Sequence, residues 1–271
     1  MVTVESLLKE ATKFIPKEDA AALACGLFGC DRGGLIMKMK NEVDSEVAKT
    51  YSSYIEKAKS GMPVAYILGK KEFYSLDFYV NPNVLIPRPD TEILVDNIIP
   101  IAQNKRVLDI CCGSGCIGIS IAANTPCTLA MIDISEKALE IAEKNCALNK
   151  VSAQLIKKDI LNDEIDGEFD IIVSNPPYIE SETVLTLDEN VRDFEPHLAL
   201  DGGQDGLDFY PTITKKAFTS LSKGGTLAFE IGYNQGVAVA EIMKKTGFEN
   251  AEIIKDLASH DRVVIGSKLT E

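Results

Sequence analysis

A short motif near the middle of the chain has the residue types needed to methylate a nitrogen: Asn175, Pro176, Pro177 and Tyr178. An amide or aryl-amine nitrogen shares its lone pair with a π system, and for an amide this conjugation sets a rotation barrier of ~18–20 kcal/mol. Hydrogen-bond acceptors around the NH₂ group favour the positive charge that develops when the nitrogen attacks a methyl sulfonium. Asn175 offers a side-chain carbonyl, Pro176 a backbone carbonyl in a turn stiffened by its ring, and Tyr178 a ring against which a flat group packs. We therefore predict that all four residues bind the acceptor and take part in the transfer.

A glycine-rich turn upstream has the spacing of a nucleoside-binding site. Residues 113–118 read GSGCIG, which fits the pattern G-x-G-x-x-G between a predicted strand and a predicted helix. Asp133 follows Gly113 by 20 residues (133 − 113) and ends the next predicted strand, a position that suits a carboxylate holding ribose hydroxyls. These residues alone fit an NAD-dependent dehydrogenase as well as a methyltransferase. The motif at residues 175–178 has no role in hydride transfer, so the pair of motifs favours an S-adenosylmethionine-dependent methyltransferase.

The elements that position these motifs are predicted to form two parts. Before about residue 75, apolar spacing predicts short helices, including residues 18–28 and 45–59, and alternating aromatic and polar residues over 72–89 predict a β-hairpin. From residue 105 onward, strands alternate with helices. Strands are predicted at residues 106–111, 128–133, 154–158, 169–174, 226–231, 251–255 and 262–266, and helices at 116–123, 136–148, 210–221 and 237–245. This alternation predicts an α/β fold with a mainly parallel, doubly wound sheet and an antiparallel edge.

The composition argues against several classes of protein. The chain carries 28 basic and 41 acidic residues, a net charge of −13, whereas a protein that binds nucleic acid directly normally presents a basic face. No apolar run approaches ~18 residues, and the first ten residues do not resemble a signal peptide, so we expect a cytoplasmic protein without a membrane span. The cysteines and the two histidines, His197 and His260, lack the spacing of a metal site, and no metal is expected.

Further segments give the chain a specific resemblance. It resembles the methyltransferase family that modifies the glutamine of the Gly-Gly-Gln motif in bacterial peptide chain release factors, and the resemblance covers nearly all of the chain. Besides the glycine turn, the matching segments are GMPVAYILG at residues 61–69, VLIPRPDTE at 84–92, VLD at 107–109, IVSNPPYI at 172–179, FEP at 194–196, GGQDGL at 202–207, EIG at 230–232 and DRVV at 261–264. The NPPY motif alone is shared with adenine, guanine and ribosomal-protein methyltransferases, but VLIPRPDTE and FEP are more specific.

The resemblance implies a domain organisation and a set of site residues. It implies a helical substrate-recognition domain over residues 1–71, a β-hairpin linker over 72–90 and a seven-stranded Rossmann-like methyltransferase domain over 91–271. Residues 175–178 would hold the acceptor glutamine. The implied cofactor contacts are Cys111, Cys112, Gly113, Ser114, Gly115, Asp133, Asp159, Ile160 and Asn175.

The chain departs from the family pattern at three of these cofactor positions. The family usually has glycine where this chain has Cys111 and threonine where it has Cys112, and cysteine cannot match the backbone freedom of glycine. The family often has a larger, flat residue where Ile160 stands. We therefore expect apolar packing, rather than aromatic stacking, beside the adenine at Ile160.

The predicted activity is N5-methylation of the Gly-Gly-Gln glutamine of release factors, in support of translation termination, by a protein expected to be a monomer. One alternative is methylation of a ribosomal-protein glutamine, and another is methylation of a nucleic-acid amine, which the net charge disfavours. A catalytically silent cofactor-binding adaptor is a third, and the intact NPPY motif argues against it.

Three other features of the sequence are further candidates for the site. Arg88 has two roles open to it, positioning a substrate or pairing with an acid. Asp193 and Glu195 are loop carboxylates and are predicted to be solvated rather than to face the acceptor. The chain's own Gly-Gly-Gln at residues 202–204 is interpreted as a loop turn rather than a site of self-methylation.

Overall fold

The structure, a computed structural model, describes residues 2–269 and divides them into two compact units. The first unit runs up to Lys70 and also includes Asp188–Phe194, and the second comprises Lys71–Leu187 and the chain from Glu195 onward. Met1, Thr270 and Glu271, which the predicted domain boundaries include, lie outside the described residues. The helices are α1 Val4–Ala11, α2 Lys17–Phe28, α3 Arg32–Lys38, α4 Ser45–Lys59, α5 Val64–Leu68, α6 Glu92–Ile98, α7 Cys116–Asn124, α8 Glu136–Leu148, α9 Ser181–Val184, α10 Glu189–Arg192, α11 Phe209–Ser220 and α12 Gly236–Thr246. The strands are β1 Lys70–Phe73, β2 Leu76–Tyr79, β3 Arg106–Ile110, β4 Thr128–Asp133, β5 Ala153–Lys157, β6 Phe169–Ser174, β7 Leu221–Glu230, β8 Phe248–Lys255 and β9 Asp261–Lys268.

The first unit is built from α1 to α5 and the short helix α10. Helix α2 ends at Gly29, which is left-handed at φ +60°, and α4 occupies the predicted residues with Asp44 as its N-cap. The buried Tyr51 of α4 donates its hydroxyl to the carbonyl of Ala20 in α2 at 2.8 Å, which ties the two helices together. Among the described residues no single helix has the length and composition of a membrane span, although α2 and α3, bent by 82°, meet that test as a pair.

The second unit is centred on a seven-stranded sheet in the order β5-β4-β3-β6-β7-β9-β8. All neighbours from β5 to β7 are parallel, and β9 runs antiparallel to both β7 and β8. The central strands read as nearly continuous apolar runs because helices cover both faces of the sheet. This confirms the predicted doubly wound sheet with an antiparallel edge. The observed strands β7, β8 and β9 are longer than predicted.

The hairpin of β1 and β2 belongs to the second unit. Phe73 and Phe78 are buried in the core of that unit, with ring centroids 6.0 Å apart in an edge-to-face contact. The backbone N–H of Tyr79 donates to Asn145 Oδ1 of α8 at 2.6 Å. These two aromatic side chains anchor the hairpin in the core of the second unit. The three predicted domains, with the hairpin linker over residues 72–90, stay a prediction.

Candidate active site

Four neighbouring strands of the sheet end level with one another. Ile110 of β3 pairs with Ile132 of β4 and with Ser174 of β6, and Ser174 pairs with Phe229 of β7. The next residues along these strands are, across the sheet, Asp133, Cys111, Asn175 and Glu230. Because the chain leaves β3 toward β4 on one side and reaches β6 on the other, a crevice forms at this edge of the sheet. The two sequence motifs therefore meet at one place.

A cavity of about 310 Å³ lies at this carboxyl edge, within the second unit. Most of the predicted site residues line it, namely Cys111, Cys112, Gly113, Ser114, Asp133, Asp159, Ile160, Asn175 and Pro177. Three predicted residues do not line it, namely Gly115, Pro176 and Tyr178. Pro176 is buried, and Tyr178 is half-buried behind the turn. The structure thus brings the two motifs to one cavity but places Tyr178 away from its wall.

The glycine turn is held by the carboxylate of Asp133. Oδ2 of Asp133 accepts the backbone N–H of Gly113 at 2.8 Å, and Oδ1 accepts that of Ser135 at 2.8 Å. Gly113 and Gly115 have φ values of +54° and +78°, in the left-handed region that favours glycine. A Cβ on Gly115 would lie 2.9 Å from Ile119 Cδ1, so this glycine serves packing. Burial raises the pKa of Asp133, and the backbone N–H groups of Ser135, Gly113 and Ile134 offset part of that rise. A carboxylate has about four acceptor positions, so these three donors leave one for a further donor.

Asp109 supports the same turn from inside β3. Its Oδ2 accepts the backbone N–H of Gly118 at 2.9 Å, while its Oδ1 is buried without a hydrogen-bond partner in the described part of the chain. A Cβ on Gly118 would lie 2.9 Å from Leu129 Cδ1, so the third glycine of the pattern allows the helix to approach the sheet. Burial raises the pKa of Asp109 to about 7.

Three cysteines surround the turn. Cys111 has φ +59°, so it occupies the left-handed conformation for which the family's glycine is suited, at a cost of roughly 1–2 kcal/mol. Burial raises the pKa of the Cys116 thiol to about 12, and it also raises the pKa of Cys111 and of Cys112 above the ordinary thiol value. All three line the cavity. The two cysteines that depart from the family pattern, Cys111 and Cys112, therefore lie within the site.

Part of the cavity wall is apolar. Ile134, Ile160 and Leu161 form it, and Ile160 is buried. Asp159 accepts the backbone N–H of Leu161 at 3.0 Å, so its carboxylate shapes this loop. Nζ of Lys216, from α11, donates to the carbonyl of Ile160 at 2.9 Å. A flat, apolar group such as a nucleobase suits this part of the wall.

The turn over residues 175–178 presents one amide to the cavity. Asn175 is half-buried and lines the cavity, and within residues 2–269 its side chain makes no hydrogen bond. The Tyr178 hydroxyl donates to Oε1 of the buried Glu230 at 3.3 Å. Burial raises the pKa of Glu230 to about 7 and also raises the pKa of Tyr178. The turn therefore leaves the Asn175 amide free for a ligand while its tyrosine is tied to the sheet.

The prediction that Glu195 is solvated is wrong. Glu195 is only 3% exposed, forms an ion pair with Arg88 and accepts the backbone N–H of Ile86 at 3.1 Å. Of the two roles open for Arg88, the pairing is observed, and Arg88 also lines the cavity. A loop carboxylate is buried here because a guanidinium and a backbone N–H together satisfy it.

Comparison with known proteins assigns this chain to a family. The chain is 41% identical to the release factor glutamine methyltransferase of Clostridium acetobutylicum, over 98% of this chain and 96% of that protein. It is 38% identical to the protein of the same name from Clostridium botulinum, over 97% of this chain and 95% of the relative. The chain belongs to the release factor glutamine methyltransferase family. This confirms the resemblance found in the sequence and the prediction of a methyltransferase.

Domain families and solved structures agree with that membership. Residues 88–204 match the methyltransferase small domain family, and residues 2–69 match the PrmC N-terminal domain family. A methyltransferase from Pyrococcus furiosus superposes with a TM-score of 0.57 at 20% identity, covering 80% of this chain and 98% of that chain. At that identity the likeness shows the fold, which is the one predicted.

Two polar residues behind the turn of this methyltransferase escaped the sequence reasoning, Glu230 and Gln235. The sequence does carry a signal for Glu230, because it ends β7 in the same row as Asp133 and Asn175. Gln235 precedes α12 in a stretch without a recognisable motif, so only the three-dimensional structure reveals its contacts.

Proposed function

We propose that this protein transfers the methyl group of S-adenosylmethionine to the side-chain amide nitrogen (N5) of the glutamine in the Gly-Gly-Gln motif of peptide chain release factors. The observation that carries the proposal is the half-buried Asn175 side chain, which lines the cavity and makes no hydrogen bond within residues 2–269. A polar side chain that lines a cavity and has no hydrogen-bond partner within the protein is available to bind a ligand. The names of the curated relatives support a release factor as the substrate.

The chemistry of the cavity fits the cofactor. S-adenosylmethionine is an adenine nucleoside that supplies a methyl group carried on a positively charged sulfur. Asp133 has a lone pair left for a ribose hydroxyl, and Ile134, Ile160 and Leu161 provide an apolar wall for the adenine. The glycine turn, which includes Cys111 and Gly113, forms part of the cavity wall. Asp159 and Asn175 complete the proposed contacts.

The chain's own residues would act on the acceptor by holding it. The Asn175 side-chain oxygen would accept an N–H of the glutamine amide, and the backbone carbonyl of Pro176 would accept the other. Both acceptors favour the positive charge that develops on nitrogen, an effect worth ~10²–10³-fold in rate for a single group in comparable sites. No strong base is required, because an alkylated amide nitrogen is acidic and loses its proton to water. Tyr178, tied to Glu230, would pack beside the acceptor from behind the turn.

The remaining parts of the proposal concern the partner. The helical unit, which corresponds to the matched residues 2–69, is proposed to help bind the release factor. The net charge of −13 disfavours direct binding to nucleic acid. A glutamine of a ribosomal protein remains the second candidate substrate, because the NPPY motif is equally suited to it.

The test is a methyl-transfer assay with labelled S-adenosylmethionine and a purified release factor, either wild type or with its motif glutamine changed to alanine. We expect label on the wild-type factor alone. The variant Asn175→Ala is expected to bind S-adenosylmethionine within about 3-fold of wild type and to transfer ~10²–10³-fold more slowly. Asn124→Ala is the matched control, because Asn124 is exposed and lies eight residues along α7 from the cavity residue Cys116, about 12 Å away. Full activity of Asn175→Ala would overturn the proposed role of the turn, and label on the alanine-substituted factor would overturn the proposed target.

A further inference from the structure

The turn over residues 175–178 is fastened from behind by the side chain of Gln235. This glutamine immediately precedes α12 and is 7% exposed. Its Nε2 donates to the carbonyls of Tyr178 at 3.0 Å and Gly206 at 3.1 Å. Its Oε1 accepts the backbone N–H of Gly232 at 2.9 Å and lies 3.3 Å from the hydroxyl of Tyr210, whose one proton is shared with the carbonyl of Glu230 at 3.1 Å. One side chain therefore joins its own turn to the turn over residues 175–178 and to the segment from Gly206 to Tyr210.

Most of the hydrogen-bonding capacity of the Gln235 amide is used. A primary amide has two N–H donors and two lone pairs; here both donors and one lone pair have partners, and the second lone pair shares the Tyr210 proton with the Glu230 carbonyl. The orientation of the amide is fixed by those partners, because a carbonyl only accepts and a backbone N–H only donates. A side chain held in this way fixes the position of the Tyr178 backbone.

The loop over residues 202–206 is shaped for the same contact. The backbone N–H of Gly202 donates to the carbonyl of Ile179 at 2.8 Å, and a Cβ on Gly202 would lie 2.7 Å from the carbonyl oxygen of Pro177. Gly206 has φ +72°, and a Cβ there would lie 2.6 Å from Gln235 Nε2. Only glycine lets this loop pack directly against the turn. The GGQDGL segment therefore acts as a support for the turn.

We propose that Gln235 is a positioning residue for methyl transfer: it fixes the Pro177–Tyr178 backbone against loop 202–206 and so sets the place of Asn175. This proposal rests on the proposed function of the turn. Gln235 itself is not among the described residues that line the cavity, so it acts through Tyr178. Its effect should be large, because reacting atoms must be held ~3–3.5 Å apart and a misplacement of about 1 Å costs on the order of 10²-fold in rate.

The first test is the isosteric variant Gln235→Glu. It keeps an oxygen for Gly232 and Tyr210 but turns a second oxygen toward the carbonyls of Tyr178 and Gly206, where a donor is needed. We expect kcat to fall roughly 10–100-fold, with the KM for the release factor and the affinity for S-adenosylmethionine within about 3-fold of wild type. The matched control is Gln103→Glu, the same substitution at an exposed residue before β3 that does not line the cavity and lies outside loop 202–206. Its kcat is expected to stay within 2-fold of wild type.

The second test separates positioning from a general loss of structure. If Gln235 acts by placing Asn175, then Gln235→Glu should slow the Asn175→Ala enzyme by less than about 3-fold, because the group it positions is already gone. Gln235→Met, which has a similar length and no charge, serves as a second variant in case the glutamate variant does not fold. It is expected to show the same pattern.

Three results would overturn the inference. A folded Gln235 variant with kcat within 2-fold of wild type would show that the clamp is not needed. A loss of S-adenosylmethionine affinity in proportion to the loss of kcat would assign the residue to the cofactor site. If the fold loss in rate of the double variant equals the product of the losses of the two single variants, Gln235 acts independently of Asn175. Retained activity of Asn175→Ala on its own would instead overturn the proposed function on which the inference rests.

Discussion

Changing Asp109 to asparagine should make the stability of this protein less dependent on pH. Burial raises the pKa of Asp109 to about 7 from an ordinary value of 3.8. Between these two values the folded chain keeps a proton that the unfolded chain has lost. The folded state therefore binds more protons in this window, and the free energy of unfolding falls as pH rises through it. At ~1.36 kcal/mol per pH unit, the loss from this one group is on the order of 4 kcal/mol.

The asparagine variant has a different cost that does not depend on pH. Its side-chain oxygen can still accept the N–H of Gly118, but its NH₂ group takes the place of the unpartnered Oδ1 and stays buried without an acceptor. That constant cost is ~1–3 kcal/mol. Glu230, whose pKa burial raises to about 7, titrates in the same range but is present in both proteins. Its contribution cancels in the difference between them.

Urea unfolding at several pH values from about 4 to 8 measures the effect. We expect the wild type to lose stability relative to Asp109→Asn as pH rises, by a total on the order of 4 kcal/mol. A difference between the two proteins that stays constant over the range would refute the reasoning. A difference that grows in favour of the wild type as pH rises would contradict the raised pKa of Asp109.

Two further predictions concern other carboxylates at the site. Asp133→Ala should weaken S-adenosylmethionine binding by about 10–100-fold in a calorimetric titration, because a hydrogen bond to a charged group contributes roughly 1.5–3 kcal/mol; an unchanged affinity would remove Asp133 from the proposed ribose contact. Arg88→Met should lower the free energy of unfolding by about 3 kcal/mol in urea, because it leaves the Glu195 carboxylate buried without its ion partner. The double variant Arg88→Met, Glu195→Gln should recover part of that loss, and no recovery would contradict the explanation.

The fold could be predicted from the sequence where the signal is local. Helix α4 and strands β4 and β6 have the predicted bounds because their apolar spacing is regular and turns flank them. Helix α6 was missed, because its burial comes from packing against α7 and the sheet rather than from a clear local pattern. The hairpin of β1 and β2 was recognised, but its integration into the second unit depends on Phe73 and Phe78 contacting residues far along the chain.

The candidate site could likewise be predicted where the signal is local and not where it depends on distant residues. Asp133 and Asn175 could be found from the sequence because each lies at the end of a strand in a recognisable motif, and parallel strands bring their carboxyl ends to one edge. Glu195 was placed wrongly because its burial depends on Arg88, which is 107 residues away. Gln235 could not be found because its four partners come together only when β6, β7 and α11 are assembled.

The three cysteines around the glycine turn have a consequence for an enzyme that works with a methyl sulfonium. Such a compound alkylates nucleophiles, and among protein groups the thiolate, not the thiol, is the reactive form. Burial raises the pKa of Cys116 to about 12 and also raises the pKa of Cys111 and Cys112 above the ordinary thiol value, so all three keep their protons at neutral pH. The environment proposed to hold the cofactor thus also keeps these thiols protonated, and we expect it to limit methylation of the enzyme's own cysteines.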